Sequence, residues 1–360
     1  MIIEIFYVNQ TLSFVAGMLL NLVLMRQIQK NTSRTLRSYS WILFMMCVVD
    51  LFYSISTYIC QPLGTADSVN FSIVQTGLLG RLFCNWFQVD PIWPLTIWHF
   101  FFFSTPTCLA IQFVMRYLVL CRNYVAKLSH FIVVFCLASS WQIIVCVMYN
   151  RSSIISLRNS WNNAPNAMEK LRQTQREITH IPDLQLGVFI SMSSPYWNMI
   201  NTFDMICSII IYAIIFTCTN RINSYSKKNL VEQSAQRVQT QLSLTLKIQA
   251  ILPLCVFMVT NTVNNSHLLF GQQAPYIGAL LNLPVPWLAW LNPLVTLIVV
   301  RAYRRAILDY WRRFLFALAC GSLPDSEMTS VTPMGQNRNW KSSGQESSQA
   351  GTAFKRVQKL

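Results

Sequence analysis

Ionisable side chains stand where water is scarce. Asp50, His99 and Asp204 each lie inside a long apolar run of this 360-residue chain. Asn21, Thr105, Arg116 and Asn292 share such surroundings. A charge at the bilayer centre costs about 2.5–3.5 kcal/mol on insertion scales, so groups of this kind line a pathway, a ligand site or a polar network. An Asp among aromatic residues could hold an amine through charge and cation–π contact. Trp93, Trp98, Trp197 and Trp287 supply such residues, although Trp near a helix end also serves as an interfacial anchor. The bland alternative for Asp50, His99 and Asp204 is packing against Asn, Ser or water. No paired Asp, HExxH or nucleophile–base arrangement is present, so no catalytic set is assigned and no enzyme is expected. The eleven cysteines form no CxxC pair and mostly lie in apolar runs, so no metal site, redox motif or cofactor is signalled.

The elements that position these groups follow from hydropathy. Hydrophobic residues make up 53% of the chain and charged ones only 11%, against about 25% charged in soluble proteins. Apolar runs place crossings at about residues 3–25, 39–61, 93–120, 129–149, 197–219, 244–265 and 277–300. The runs are continuous, so helices satisfy the backbone in lipid. The expected fold is all-α, an integral membrane bundle of seven transmembrane helices. Pro106, Pro253 and Pro293 allow kinks or simple packing bends in the third, sixth and seventh. The first helix is expected to act as its own targeting signal, with no cleavable leader.

The net charge of +15 is unevenly placed. Of 28 Lys and Arg, 22 fall in 26–38, 116–127, 220–247 and the region from Arg301 onward. By the positive-inside rule the N-terminus is outside and the tail inside. The charge is thus a membrane signature, and nucleic acid is not a partner. Sequons at Asn70, Asn150 and Asn264 fall on the outer side and are candidate glycosylation sites, while Asn31 falls inside. The polar loop 150–196 is either a ligand lid or a solvated connector. Residues 301–320 read as a basic amphipathic helix on the inner membrane surface, with Tyr303, Ile307, Tyr310 and Phe314 on one face and Arg301, Arg305 and Arg312 on another. Cys320 is a candidate for palmitoylation or a plain thiol. Residues 321–360 are expected to be a disordered cytoplasmic tail, leaving 1–300 as the membrane domain.

Three short patterns carry a resemblance. Asn21 and Asp50 in Val49-Asp50-Leu51, Met115-Arg116-Tyr117, and Asn292-Pro293-Leu294-Val295-Thr296 resemble the signatures of rhodopsin-like G-protein-coupled receptors. Leu36-Arg37-Ser38-Tyr39-Ser40, His99, Met115 through Leu120, Gln249-Ala250-Ile251-Leu252-Pro253 and Ala302-Tyr303-Arg304 resemble nematode serpentine chemoreceptors, class d or a close relative in the Str superfamily. The resemblance implies a chemosensory receptor in the plasma membrane or a sensory cilium. It would bind a small external ligand and activate a heterotrimeric G protein. It also implies a central polar, sodium-like cavity of Asn21, Asp50, Thr105 and Asn292. Coupling to the G protein would fall to Arg116, Tyr117, Arg122, Lys227 and Lys228. The ligand would sit between the outer halves of helices three, five, six and seven, near Trp98, His99, Asp204 and Trp287. Partners are therefore a G protein, a small molecule and membrane lipid.

The departures from the pattern carry expectations too. Met115 replaces the acidic partner of Arg116, so the resting state is expected to rest on packing and not on an ion pair; a sharp rise in basal signalling on Arg116→Ala would count against this. The sixth crossing has no Trp before Pro253. Residues 147–206 lack Cys, so Cys84 can be tethered only to Cys60 or left free. The competing function is a seven-helix ligand-gated channel or transporter, which usually shows inverted repeats or interrupted helices; no repeat is evident.

Overall fold

A computed structural model describes residues 2–31, 37–66, 70–122, 124, 128–163, 169, 172–173, 176, 179–181, 186–191, 195–229, 243–251, 253–256 and 282–320. The helices are α1 (Ile2–Asn31), α2 (Arg37–Cys60), α3 (Leu78–Phe87), α4 (Ile92–Cys121), α5 (Leu128–Asn163) and α6 (Pro195–Asn229). Then follow α7 (Ser243–Val256), a 3-10 turn (Val285–Trp287), α8 (Leu288–Val299) and α9 (Arg301–Cys320). Among the described residues, α1, α2, α4, α5 and α6 are each long and apolar enough to cross a membrane. Of the expected sixth and seventh crossings, residues 257–265 and 277–281 lie outside the described residues. Residues 1–308 form one compact unit and 309–360 another. The expected tail, 321–360, lies outside the described residues, as does the side chain of Cys320.

The third crossing, α4, is the most enclosed of the spans. α2, α5 and α6 pack against it, while α8 closes onto α1 and α2. Its sequence explains its centrality. Aromatic residues fill its first half (Trp98, Phe102 and Phe103 are buried), and small or hydroxyl residues fill the middle. Pro106 removes one backbone donor, and nearby hydroxyls turn back to the helix: Ser104 Oγ lies 2.8 Å from Phe100 O, and Thr107 donates to Phe103 O at 3.0 Å. These bonds satisfy the two hydroxyls themselves in lipid; the carbonyl that Pro106 deprives of its helical donor is that of Phe102.

At the end of the bundle where α1 begins (the near end), a three-stranded antiparallel sheet was not anticipated. β1 (Pro62–Ala66) pairs with β2 (Asn70–Gln75), and β2 pairs with β3 (Leu186–Ser191) across more than a hundred residues of chain. A bulge falls between Ile73 and Val74. Leu63, Val74 and Phe189 pack on Ile3 and Phe6 of α1. The fold is thus helical with a small β element. Within the segment 150–196, expected as a polar loop, the described residues include the end of α5, which runs on to Asn163, and β3, which joins the sheet. Ser153 Oγ of α5 accepts the backbone N–H of Phe189 at 2.9 Å, which fastens β3 to the helix.

At the opposite, far end, α8 stops at Val300, whose extended backbone breaks the helix before α9 starts. Tyr303 and Ile307 on the first turns of α9 pack with Leu24, Ile28 and Leu297. Tyr310, expected on the same face, is exposed, and the side chain of Phe314 lies outside the described residues.

Candidate functional site

A narrow recess, with a cavity volume of about 10 Å3, room for roughly one water, lies between α4, α5 and the sheet. Ile73 and Val188 line it from the two strands, Leu95, Thr96, Trp98 and His99 from α4, and Cys146, Tyr149 and Asn150 from α5. The His99 ring sits 4.6 Å from that of Phe103 and 4.8 Å from that of Tyr149, centroid to centroid. Thr96 Oγ1 lies 2.8 Å from Asn150 Oδ1, a polar tie between α4 and α5. The buried indole N–H of Trp98 has no acceptor among the described residues. A mostly apolar wall with a few convergent polar groups is the usual make-up of a ligand site.

Two expected ligand residues lie elsewhere. Trp287 is not in the cavity: its Nε1 donates to Asn9 Oδ1 at 2.8 Å, and Asn9 Nδ2 donates to Leu283 O at 2.8 Å. The indole thereby fastens the start of the last crossing to α1. Asp204, on α6, is close enough to Tyr149 to interact electrostatically but does not line the cavity. Its Oδ1 is buried without a hydrogen-bond partner among the described residues. Trp197 is buried in the main core, and Trp93 is exposed on the side of α4.

Deeper in the bundle, two of the four expected cavity residues, Asp50 and Asn292, bond to each other, and a third, Asn21, bonds to the backbone of the helix that carries Asn292. Asn21 Nδ2 donates to Gly17 O and to Ala289 O, both at 2.9 Å. Asn292 Nδ2 donates to Asp50 Oδ2 at 3.4 Å. The helices can approach here because of Gly17, where an added Cβ would fall 2.8 Å from Ser54 Oγ and 3.6 Å from the Ala289 Cβ. Gln249 of α7 joins the cluster, donating to Asn292 O and Thr296 Oγ1 at 2.9 Å each. Thr105 is buried on α4, without a hydrogen bond to the other three among the described residues. Three buried oxygens, Asp50 Oδ1, Asn21 Oδ1 and Thr105 Oγ1, have no hydrogen-bond partner among the described residues. Orphaned buried oxygens are costly. One carboxylate, one amide and one hydroxyl form a donor set suited to a hard monovalent cation with water, so the residues fit sodium.

At the far end, Arg116 is 3% exposed despite its charge. Its Nη2 donates to Ser243 Oγ of α7 at 3.2 Å. Met115 beside it is buried in the apolar cluster with Leu24, Ile42 and Phe131. Tyr117 is half-buried and Arg122 exposed. Lys227 and Lys228 continue α6, with side chains outside the described residues.

Two expected modifications meet obstacles. Asn150 is not on a loop but inside α5, and its amide faces Thr96 in the cavity wall, so a glycan there would displace the helix packing. Asn70 begins β2; its side chain lies outside the described residues, as does Asn264. Of the two alternatives for Cys84, a tether to Cys60 or a free thiol, the structure has the free thiol. Both thiols are buried and free, Cys60 donating to Pro94 O at 3.3 Å and Cys84 to Gln75 Oε1 at 3.8 Å. Burial pushes the Cys84 thiol up from its ordinary range, with the Asp90 carboxylate adding to the effect.

The sequence reading did not single out Thr96, Tyr149, Ser243 or Gln142. Gln142 donates to Phe103 O at 3.0 Å and Thr107 Oγ1 at 2.7 Å, and its Oε1 lies 3.0 Å from Ser104 Oγ. A lone amide in the apolar run of α5 was the available signal.

Comparison with known structures returns squid rhodopsin, a crystal structure, at 12% identity and a TM-score of 0.56, covering 90% of this chain and 89% of that one. At such identity the likeness concerns the fold: a rhodopsin-like bundle. Comparison with curated proteins finds no match. A family profile, serpentine type seven-transmembrane chemoreceptor Str, matches residues 6–308, which takes in every helix of the bundle and all three polar centres. The chain is a multi-pass membrane protein and belongs to the Str family of serpentine G-protein-coupled chemoreceptors.

Proposed function

We propose that this chemoreceptor takes a small, largely apolar, neutral ligand at the recess beside His99, which widens to admit it, and passes the change along α4 to Arg116. The observation that carries the reading is the continuity of α4. One helix holds His99 in the cavity wall and Arg116 against α7, 17 residues or roughly 25 Å apart along the axis. A ligand acceptor such as a carbonyl or ether oxygen would satisfy the buried Trp98 N–H. Ile73, Leu95 and Val188 favour an apolar remainder. An amine would need Asp204, which stands outside this cavity.

The orientation is N-terminus outside, in the plasma membrane, and the protein has no enzymatic activity of its own. A ligand bound more tightly by one arrangement of the bundle shifts the population toward it. In the favoured state α7 parts from α4, and Arg116 becomes available to the C-terminal segment of a heterotrimeric G protein. Tyr117, Arg122, Lys227 and Lys228 add to that surface. Asp50, Asn21 and Thr105 would hold sodium in the resting state; the ion would supply positive charge against the buried Asp50 carboxylate.

The test is nucleotide exchange on a reconstituted G protein with a library of volatile and water-soluble small molecules, alongside whole-cell current. Ligand-driven exchange without current supports the proposal. Current without exchange would transfer the chain to the channel reading.

A further inference from the structure

α3 is ten residues long and half apolar around its circumference. Leu78, Leu79, Leu82, Phe83, Trp86 and Phe87 are all exposed, Trp86 at 82%, Phe87 at 64% and Leu78 at 61%. At 100° per residue these six occupy one half of the helix surface. Gly80 and Cys84 form a narrow buried strip, and Arg81, Asn85 and Gln88 take the remaining arc. At about 15 Å the helix is far too short to span a bilayer. A contiguous apolar face of this kind marks an interaction surface.

We propose that α3 is an interfacial helix whose apolar half lies among the lipids at the headgroup–acyl boundary, on the leaflet at the near end of the bundle. The occupant of the face is the bilayer itself. Three observations fix this choice. First, the height of α3 is pinned. Gly77 N–H bonds to Cys60 O at 3.1 Å, where α2 ends, and only four residues separate Phe87 from the start of α4. Gly77 and Gly80 both press against the Ile59 carbonyl so closely that a Cβ at either would collide with it. Second, the face continues the lipid-facing surface of the spans. Trp93 and Ile97 on the first turns of α4 are also exposed, and Trp at a helix end is an interface residue. Third, the polar arc opposite is fit for water, as a helix lying in the plane of the membrane requires. With Arg81 as its one charge, α3 is held by apolar area, and neutral phosphatidylcholine suffices.

The experiment uses the full chain on intact cells and a membrane-impermeant maleimide, with Cys136, Cys255, Cys121, Cys207, Cys218 and Cys320 replaced by Ser or Ala in the parent, which keeps the buried Cys60 and Cys84 and whose residual labelling is subtracted as background. Asn85→Cys, on the polar arc, is expected to label readily. Phe83→Cys and Trp86→Cys are expected to label at least tenfold more slowly at equal surface amounts, and to give no disulfide dimer with copper phenanthroline. Labelling of Trp86→Cys as fast as Asn85→Cys would overturn the proposal, as would a dimer through Trp86→Cys, which would assign the face to a second copy. If Asn85→Cys labels only after permeabilisation, the orientation proposed above is wrong. The rate comparison, made in permeabilised cells, still decides the lipid contact. A milder variant guards against misfolding. In nanodiscs of phosphatidylcholine brominated on its acyl chains, Trp86→Phe is expected to lose a quenched component of about one tryptophan in the eleven; an unchanged quenched fraction would overturn the proposal.

Discussion

The Arg116 guanidinium donates to the Ser243 hydroxyl across 3.2 Å, joining the far end of α4 to the first turn of α7. The bond ends on a neutral side chain, so it restrains the two helices more weakly than a carboxylate would. A hydrogen bond of this kind contributes about 1 kcal/mol where it is half in solvent. Ser243→Ala is therefore expected to raise ligand-independent nucleotide exchange about fivefold, and Ser243→Glu to lower it. Exchange assays on the two variants at equal surface expression check the pair. An unchanged rate in Ser243→Ala would return the resting state to packing around Met115 alone.

The three orphaned oxygens at Asp50, Asn21 and Thr105 make a prediction about salt. A cation that binds the folded state raises its stability by mass action. Replacing potassium with sodium at constant ionic strength is expected to raise the melting temperature of purified receptor by several degrees. Asp50→Asn removes the charge, and the sodium increment is expected to vanish. An increment that survives in Asp50→Asn would place the ion elsewhere.

His99 and Trp287 separate by role. His99 lines the cavity, whereas Trp287 ties the 3-10 turn to Asn9. His99→Leu is expected to weaken ligand potency at least tenfold with little change in melting temperature. Trp287→Phe loses one hydrogen bond, about 1 kcal/mol, and is expected to leave potency near the parent's. Dose–response curves and thermal melts on the same preparations test both.

Asn150 is held against Thr96 inside α5. Asn150→Gln is expected to leave the deglycosylation shift of the receptor on gels unchanged. A lost shift would mean that α5 unwinds in the membrane and exposes this residue.

Cys60 and Cys84 are free and turned to different acceptors. Cys84→Ser is expected to keep surface expression and potency within twofold of the parent. A raised thiol pKa suppresses thiolate at neutral pH and restores it as pH rises. Alkylation of Cys84 in detergent is therefore expected to be slow near neutrality and to accelerate in alkali. Loss of surface receptor in Cys84→Ser would reinstate the bridge.

Much of this was legible because lipid imposes simple rules. Hydropathy marks α2 and α4 within two residues at each end, since no other solvent tolerates such runs, while α1 and α6 run about six and ten residues past their expected ends. Asn21, Asp50 and Asn292 are conspicuous because each polar group in hydrocarbon needs a partner; Asn292 bonds to Asp50, and Asn21 bonds to the Ala289 carbonyl on the same helix as Asn292. The sheet left no such trace. Pro62-Leu63-Gly64-Thr65-Ala66 lacks a two-residue alternation and contains two residues that weaken strands. Its order comes from β2 and, through β2, from β3 far along the chain. The length of α5 was hidden for another reason: Arg151, Arg158 and several Asn end the apolar run, although the helix itself continues. Trp287 was misplaced because its partner, Asn9, is 278 residues away, and no local pattern announces that pairing.

Ile73 and Val188 are directly paired across β2 and β3, and both look into the cavity. Their backbone bonds do not depend on what their side chains are. Exchanging either residue for a larger or smaller one redraws the contour that a chemical meets while the strand pairing stays intact. Both side chains also pack in the main core with Trp98 and Trp197, so the contour offered to a ligand is drawn by residues that hold the folded bundle together.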